Sequence, residues 1–414
     1  MFHGIYLNLK DCIECVFHIL LSIKHLILTD FVRLALGDQH SIILKQDGSV
    51  WSTPITFRGV IPSSYKYFVQ LIPSGATAVA AGNGYSIVLK QDGYVWAMGR
   101  NHQGQLGDGT KVRKGEFRFV KRFPCANAVA AGAAHSMVLT QEGHVWAAGW
   151  NKYGQLGDGS PSYSTTFRHA VFTGAMAVAA GDSHSIILMQ DASVWAVGLN
   201  SHGQLGDGSK SDRSSFVKVV ANGAADVIAG GDHTMVLKQD GSVWTTGSNE
   251  YGQLGDGSTM DRISYTQVVS SEAKTAAAGN RHSMVLKQDG SVWATGNNEY
   301  GQLGDGSTTN VCVFVQVVSG GARSVAAGAL QSMVLKQGGS IWATGSNKNG
   351  QFGNGSIKSE KLFVRLSPFG NGARHEMIVY SYGCIFTTPQ YKRCVLCLCV
   401  SSHSFSECHI ALYS

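Results

Sequence analysis

Short apolar runs alternate with clusters of Gly, Asp and Asn along most of the chain, and the alternation itself recurs as a unit. One copy reads as four runs: small residues from Ala276 to Gly279, apolar residues from Ser283 to Leu286, an alternating run from Ser291 to Thr295, and a β-branched run from Val313 to Val318. Runs of this length bounded by turn formers predict strands, and nothing inside the array has a helical period. Trp96, Trp146, Trp195, Trp244, Trp293 and Trp342 mark the same point in successive copies, at steps of 50 and then 49, with Trp51 45 residues upstream. A period of that size signals a solenoid, a propeller or an array.

The second and third runs are joined by Asp-Gly at Asp47-Gly48, Asp92-Gly93, Asp240-Gly241 and Asp289-Gly290. That dipeptide between apolar runs predicts a tight hairpin, because a type I′ turn needs positive φ at both central residues. Glu142-Gly143 and Gly338-Gly339 are variants, and Asp191-Ala192 gives up the glycine, so some strain or a different turn is expected at Ala192. The fourth run can be followed from Phe68 to Leu71, Phe117 to Val120, Phe167 to Val171, Phe216 to Val220, Tyr265 to Val269, Phe314 to Val318 and Phe363 to Leu366. Four strands in each of seven units predict an all-β fold, a seven-bladed β-propeller of four-stranded blades. The units fall at about 31–75, 76–124, 125–174, 175–223, 224–272, 273–321 and 322–367, between a non-repeat leader (1–30) and a divergent Cys-containing tail (368–414). The Ala- and Gly-rich first strand suits the crowded axis and is placed innermost.

Composition agrees: 44% hydrophobic, 14% charged, 51 Gly and only 7 Pro describe a compact, turn-rich β protein. Of nine cysteines, only Cys125 and Cys312 lie in the repeats, which argues against a disulfide scaffold and for an intracellular, cytoplasmic or nuclear, location. Cys394, Cys397 and Cys399, with His403 and His409, lack the paired clusters of ordinary zinc sites, so no metal or other cofactor is expected. The apolar run from Cys15 to Ile23 follows Asp11 and Glu14 and is too short to span a bilayer; neither a signal peptide nor a membrane span is expected.

Between the third and fourth runs, Gly-Gln-Leu-Gly-Asp-Gly begins at Gly104, Gly154, Gly203, Gly252 and Gly301, with a softened copy from Gly350 to Gly355. Together with Ala-Gly-x-x-His-Ser and Leu-Lys-Gln-Asp-Gly-Ser-Val-Trp-Ala-x-Gly-x-Asn, this resembles the repeat of the regulator of chromosome condensation family, over about four fifths of the chain. The resemblance implies a seven-bladed propeller whose repeats need not coincide with its blades. It also implies two activities of the founding member: guanine-nucleotide exchange on the small GTPase Ran, and chromatin binding.

The repeated His135, His184, His233 and His282, with His40, invite a metal or catalytic reading, but rotation around a propeller spreads equivalent positions apart. A buried hydrogen bond from strand to adjacent loop accounts for them, and Tyr85 and Gln331 can substitute. Asp108, Asp158, Asp207, Asp256 and Asp305 lack the further carboxylates of a calcium loop and read as turn caps. The six regularly spaced tryptophans read as blade core. No Ser-His-Asp, Cys-His, phosphate-cradling or hydride-transfer arrangement is present, so intrinsic catalysis is not expected.

Positions that differ between units are where a partner is specified. One set lies between Gly and His: Asp38-Gln39, Asn83-Gly84, Ala133-Ala134, Asp182-Ser183, Gly231-Asp232, Asn280-Arg281 and Ala329-Leu330. A second precedes Gly-Gln-Leu and includes Tyr153, Tyr251 and Tyr300, with Trp150 nearby. A third feature is the basic connector of Lys111, Arg113, Lys114, Arg118, Lys121 and Arg122, within a chain of net charge +6. It is either a phosphate-seeking patch or the charged face of an edge strand. The expectation is a monomeric propeller that binds a protein through Trp150, Tyr153, Tyr251, Tyr300, Arg281 and this basic segment. The alternatives are exchange on a Ran-like small GTPase and, more weakly, chromatin or nucleic-acid binding through the connector. The unit of Trp51 lacks Gly-Gln-Leu-Gly and passes through Pro54 and Pro62, which suggests the seam where the ring closes.

Overall fold

The computed structural model describes residues 31–53, 67–171 and 173–367 of the 414-residue chain. The leader, the Cys-containing tail and the segment with Pro54 and Pro62 lie outside the described residues. Within them the chain forms seven sheets, each of four consecutive antiparallel strands, here called blades 1 to 7 in chain order. Blade 5 is representative: Ala224–Ala229 lies innermost, followed outward by His233–Lys238, Val243–Gly247 and Arg262–Val269. No helix among the described residues is long and apolar enough to cross a membrane.

Hairpin turns form at the Asp-Gly pairs, but not as type I′: only the glycine takes positive φ, Gly241 at 78° and Gly290 at 81°, in a three-residue Gln-Asp-Gly loop where Gly241 N donates to the Lys238 carbonyl at 3.0 Å and Lys238 N to the Ser242 carbonyl at 2.9 Å. Ala192 is held at φ 58° in the equivalent turn, which costs an L-residue about 1 kcal/mol. The outer strands are longer than the apolar run alone predicts. Arg262–Val269 begins before Tyr265, and in blade 2 the strand is Lys114–Arg122. Their first residues, Arg262-Ile263-Ser264 and Lys114-Gly115-Glu116, carry no run of apolar residues that announces them.

Neighbouring blades share their cores. Ile186, Leu188, Val194 and Leu205 of blade 4 pack with Ala224, Val227 and Val236 of blade 5, and Tyr265 closes the group from its outer strand. The tryptophans are half-buried, with Trp51, Trp146 and Trp195 packed against these cores, and an indole N–H at such a margin can reach an acceptor. Trp195, Trp244, Trp293 and Trp342 each donate to the Ser hydroxyl two residues earlier at 3.0–3.1 Å. A lysine ammonium covers the ring, as with Lys238 4.4 Å from the Trp244 centroid.

Blade 7 meets blade 1 to close the ring. Met333, Leu335 and Phe352 pack against Ile43 and Phe68, Gln331 Nε2 donates to the Gly37 carbonyl at 3.1 Å, and Ser41 donates to the Gln351 carbonyl at 2.7 Å. Among the described residues, closure therefore uses side-chain packing and hydrogen bonds between sheets of consecutive strands, with no strand exchanged. The seam is carried by the softened loop Gly350–Gly355, whose Gly353 lies so close to Phe68 that a Cβ would stand 2.3 Å from that ring. The unit of Trp51 forms the other side of the seam, as its sequence suggested, through Gly37, Ser41, Ile43 and Phe68.

Candidate partner-binding face

Because strands alternate in direction, the first-to-second connections, and the third-to-fourth connections of blades 2 to 7, emerge on one face, and the second-to-third turns on the other. The two variable sets thus meet: Ser248 N donates to the Asp232 carbonyl, and Asn297 N to the Arg281 carbonyl, both at 2.8 Å.

Each Gly-Gln-Leu-Gly loop is organised by an asparagine that sequence reasoning passed over, although it stands in every copy of the motif. Asn249 Nδ2 donates to Asp256 Oδ1 and the Ser258 carbonyl at 3.0 Å, while its Oδ1 accepts from Leu254 N at 3.0 Å. Gln253 Oε1 accepts from Tyr251 N at 3.0 Å, and Leu254 is fully buried. Asp256 accepts from Ser258 N at 2.9 Å and pairs with Arg262 at 2.7 Å. Burial alone would raise its carboxyl, but the bonds from Arg262, Ser258 and Asn249 outweigh it and hold the group below the usual range. Both oxygens are engaged by the loop and its flanking strand, as a turn cap requires.

The repeated histidines are fully buried, but their bonds run between blades and not within one. His40, His135, His184, His233 and His282 meet Ser86, Ser185, Thr234, Ser283 and Ser332 of the next blade through Nε2 at 2.8–3.0 Å. Those of Ser185, Thr234, Ser283 and Ser332 donate in turn to the carbonyl of the loop glutamine, as Ser283 does to Gln253 at 2.7 Å. A hydroxyl that donates there must accept from the imidazole, so Nε2 carries the proton. Burial keeps the rings neutral, depressing His135 and His282 to about 4 and His184 and His233 to about 3. The glycine at the start of each turn leaves room for this ring: a Cβ on Gly181 would lie 2.2 Å from His184 Cε1 and 2.5 Å from the Gly230 carbonyl.

The predicted contact residues divide. Trp150 and Tyr153 stack edge-on at 5.4 Å, Arg281 of blade 6 donates to the Tyr251 hydroxyl of blade 5 at 2.8 Å, and Lys348 of blade 7 lies 4.9 Å from the Tyr300 ring centroid of blade 6. All belong to the loop face. Of the basic segment, Lys111 and Arg113 lie in the third-to-fourth connection of blade 2 on this face, and the rest leaves it. It runs down the outer edge of blade 2, and its charges are engaged locally: Lys114 with Asp108 at 3.1 Å, Arg118 with Glu116, Lys121 over Trp146 at 4.6 Å, and Arg122 with the Asp92 carbonyl at 3.2 Å beside the opposite face. Lys111 covers Tyr163 at 3.5 Å, and Arg113 precedes the strand. The arrangement is that of a charged edge strand.

At the centre of the loop face, the first members of the variable pairs surround an axial pocket of about 90 Å³, including Asp38, Asn83, Asp182 and Asn280. Asp182 is pushed up to about 7, first by burial and then by Asp38 and Asp232, with Arg281 pulling the other way. Burial raises Asp38 and Asp232 as well.

The model of the regulator of chromosome condensation (RCC1) repeat matches residues 92–139, 142–188, 191–237, 240–286 and 289–335, more than half of the chain. The chain belongs to the RCC1 repeat family. A shorter form of the RCC1 repeat matches 76–105, 127–155, 177–204, 225–253 and 274–302. The longer RCC1 match straddles two blades: 92–139 takes the outer half of blade 2 and the inner half of blade 3, so repeat and blade are offset as the resemblance implied. Among solved structures, human WBSCR16 superposes with TM-score 0.66 at 25% identity, covering 73% of this chain and 84% of that one. Yeast RCC1 (Prp20) bound to Kap60 gives 0.64 at 19% identity, with 70% and 74% covered. Prp20p from Saccharomyces cerevisiae gives 0.63 at 20%, with 72% and 80% covered. No curated protein matches the chain.

Proposed function

We propose that this RCC1-type propeller is a protein-interaction module that engages its partner through the loop face. The observation that carries this reading is the sorting of residues. Groups repeated in most blades, the His-Ser-Gln links and the Asn-Asp loops, brace the ring and its loops, while Tyr251 and Arg281, at positions that differ between blades, meet on one face. A half-buried aromatic braced by an exposed arginine, as Tyr251 is by Arg281, suits the anchor of a protein interface. Affinity capture with the full chain tests this: Arg281→Ala combined with Tyr251→Ala and Trp150→Ala removes partners that Lys121→Ala retains. Equal recovery with both variants sinks the loop face as the docking surface.

Exchange on a small GTPase is the second reading, since the work on Prp20p concerns binding to Gsp1p and histones. Release of labelled nucleotide from a panel of purified GTPases separates the two, because a scaffold accelerates none. The locally paired charges of Lys114, Arg118 and Lys121 make nucleic-acid binding the weaker reading, and the cysteine placement supports a reducing compartment.

A further inference from the structure

The carboxylates around the axis have no counter-charge in contact. Asp38 and Asp182 accept no side-chain hydrogen bond and form no ion pair among the described residues, and Asp232 has only a 3.4 Å contact from Gln204. Asp182 is half-buried at the pocket opening, and burial is the main cause that raises its carboxyl. The nearby cations are committed elsewhere: Arg100 donates to Asn83 Oδ1 at 2.5 Å, and Arg281 to Tyr251. A folded protein that holds unpaired carboxylates together in a recess carries a standing electrostatic cost, which an incoming cation would offset.

We propose that the axial pocket takes the ammonium or guanidinium head of a lysine or arginine side chain presented by a protein docked on the loop face. This rests on the docking reading above and names the chemistry of its centre. The pocket's size admits one such head with part of its alkyl stem and excludes a nucleotide. Its wall alternates the Ala and Gly ends of the inner strands, smooth and narrow enough for a stem, with acceptors at the mouth from Asp38, Asn83, Asp182 and Asn280. A metal ion fits poorly, because Asp38 and Asp182 come from blades 1 and 4 and no three acidic, His or Cys groups among the described residues gather closely enough to hold one. An organic cation satisfied by carbonyls and carboxamides together with carboxylates needs no such convergence.

Protons compete for the same site. Asp182 faces Asp38, Asp232 and Arg281, while Arg100 acts on Asp38, and His202 and Asp261 act on Asp232. Below about pH 7 the Asp182 carboxylate takes a proton and the cation loses its partner.

Calorimetric titration of the full chain tests the proposal, with n-butylammonium and N-acetyl-argininamide as probes, N-acetyl-norleucinamide as neutral control and CaCl₂ as the metal arm. Saturable binding of an organic cation at about pH 8 is expected, weakened about tenfold or more in Asp182→Asn, in Asp38→Asn and at about pH 6. Both substitutions remove unpaired charge, so the variants fold, which their thermal melts verify. Absence of saturable organic-cation binding, equal binding of norleucinamide, indifference to both substitutions, or binding of Ca²⁺ alone overturns it. Should capture still depend on Tyr251 and Arg281 while the probes fail, the docking face stands and only the axial site falls.

Discussion

Tyr265 stands where the other blades carry Phe68, Phe117, Phe167, Phe216, Phe314 and Phe363, and its hydroxyl is buried without a partner. Burial accordingly drives its phenol upward. An unsatisfied buried hydroxyl costs about 1–3 kcal/mol, so Tyr265→Phe is expected to stabilise the fold by an amount in that range. Urea unfolding monitored by circular dichroism reads it, and a loss of stability would mean that the hydroxyl is bonded. Ala192→Gly is expected to raise stability by up to about 1 kcal/mol by relieving positive φ, less the entropy glycine adds to the unfolded chain. A lower unfolding midpoint would show the entropy dominant. The missing glycine was visible in the sequence because its neighbours in the array supply the comparison. Tyr265 was equally visible as a deviation, but only packing shows that the hydroxyl faces an apolar core.

At the scale of the element, the joint between blades is the three-part link of imidazole, hydroxyl and glutamine carbonyl. Ser283→Ala removes the middle group and leaves both His233 Nε2 and the Gln253 carbonyl buried without it. The expected cost is about 1–3 kcal/mol. Ser283→Thr should be tolerated, since Thr234 fills the same place between His184 and Gln204. Equal unfolding midpoints for the two variants would remove the link from the account of blade cohesion. The histidines could be read as buried and hydrogen-bonded from their periodicity. Their partners could not, because the acceptor lies about one repeat away and sequence spacing does not distinguish a bond within a blade from one between blades.

For the whole molecule, neutral histidines make stability depend on acidity. A ring with native pKa near 3 or 4, against 6.5 in the unfolded chain, favours folding fully above pH 6.5. As pH falls below 6.5 the unfolded chain binds protons that the native rings refuse, and stability drops towards pH 4 by about 1.4 kcal/mol per pH unit for each ring. Asp182, with Asp38, Asp226 and Asp232, acts with the opposite sign and is relieved as pH falls, but the depressed Asp108, Asp207 and Asp256 lose stability in acid alongside the five rings. Urea midpoints should therefore decline between about pH 6.5 and 4; a flat profile would contradict neutral burial of the rings. The array of tryptophans, hairpin turns and Gly-Gln-Leu-Gly loops was enough to establish by sequence alone the blade count, the strand order and the innermost strand. A repeat states its own alignment, and local pattern determines strands and turns. Which variable residues meet was decided only by the closed ring. Closure carries the tyrosines, Arg281 and the axial carboxylates from different blades to one face and leaves the basic strand along the outer edge, since proximity across blades depends on rotation about the axis and not on distance along the chain.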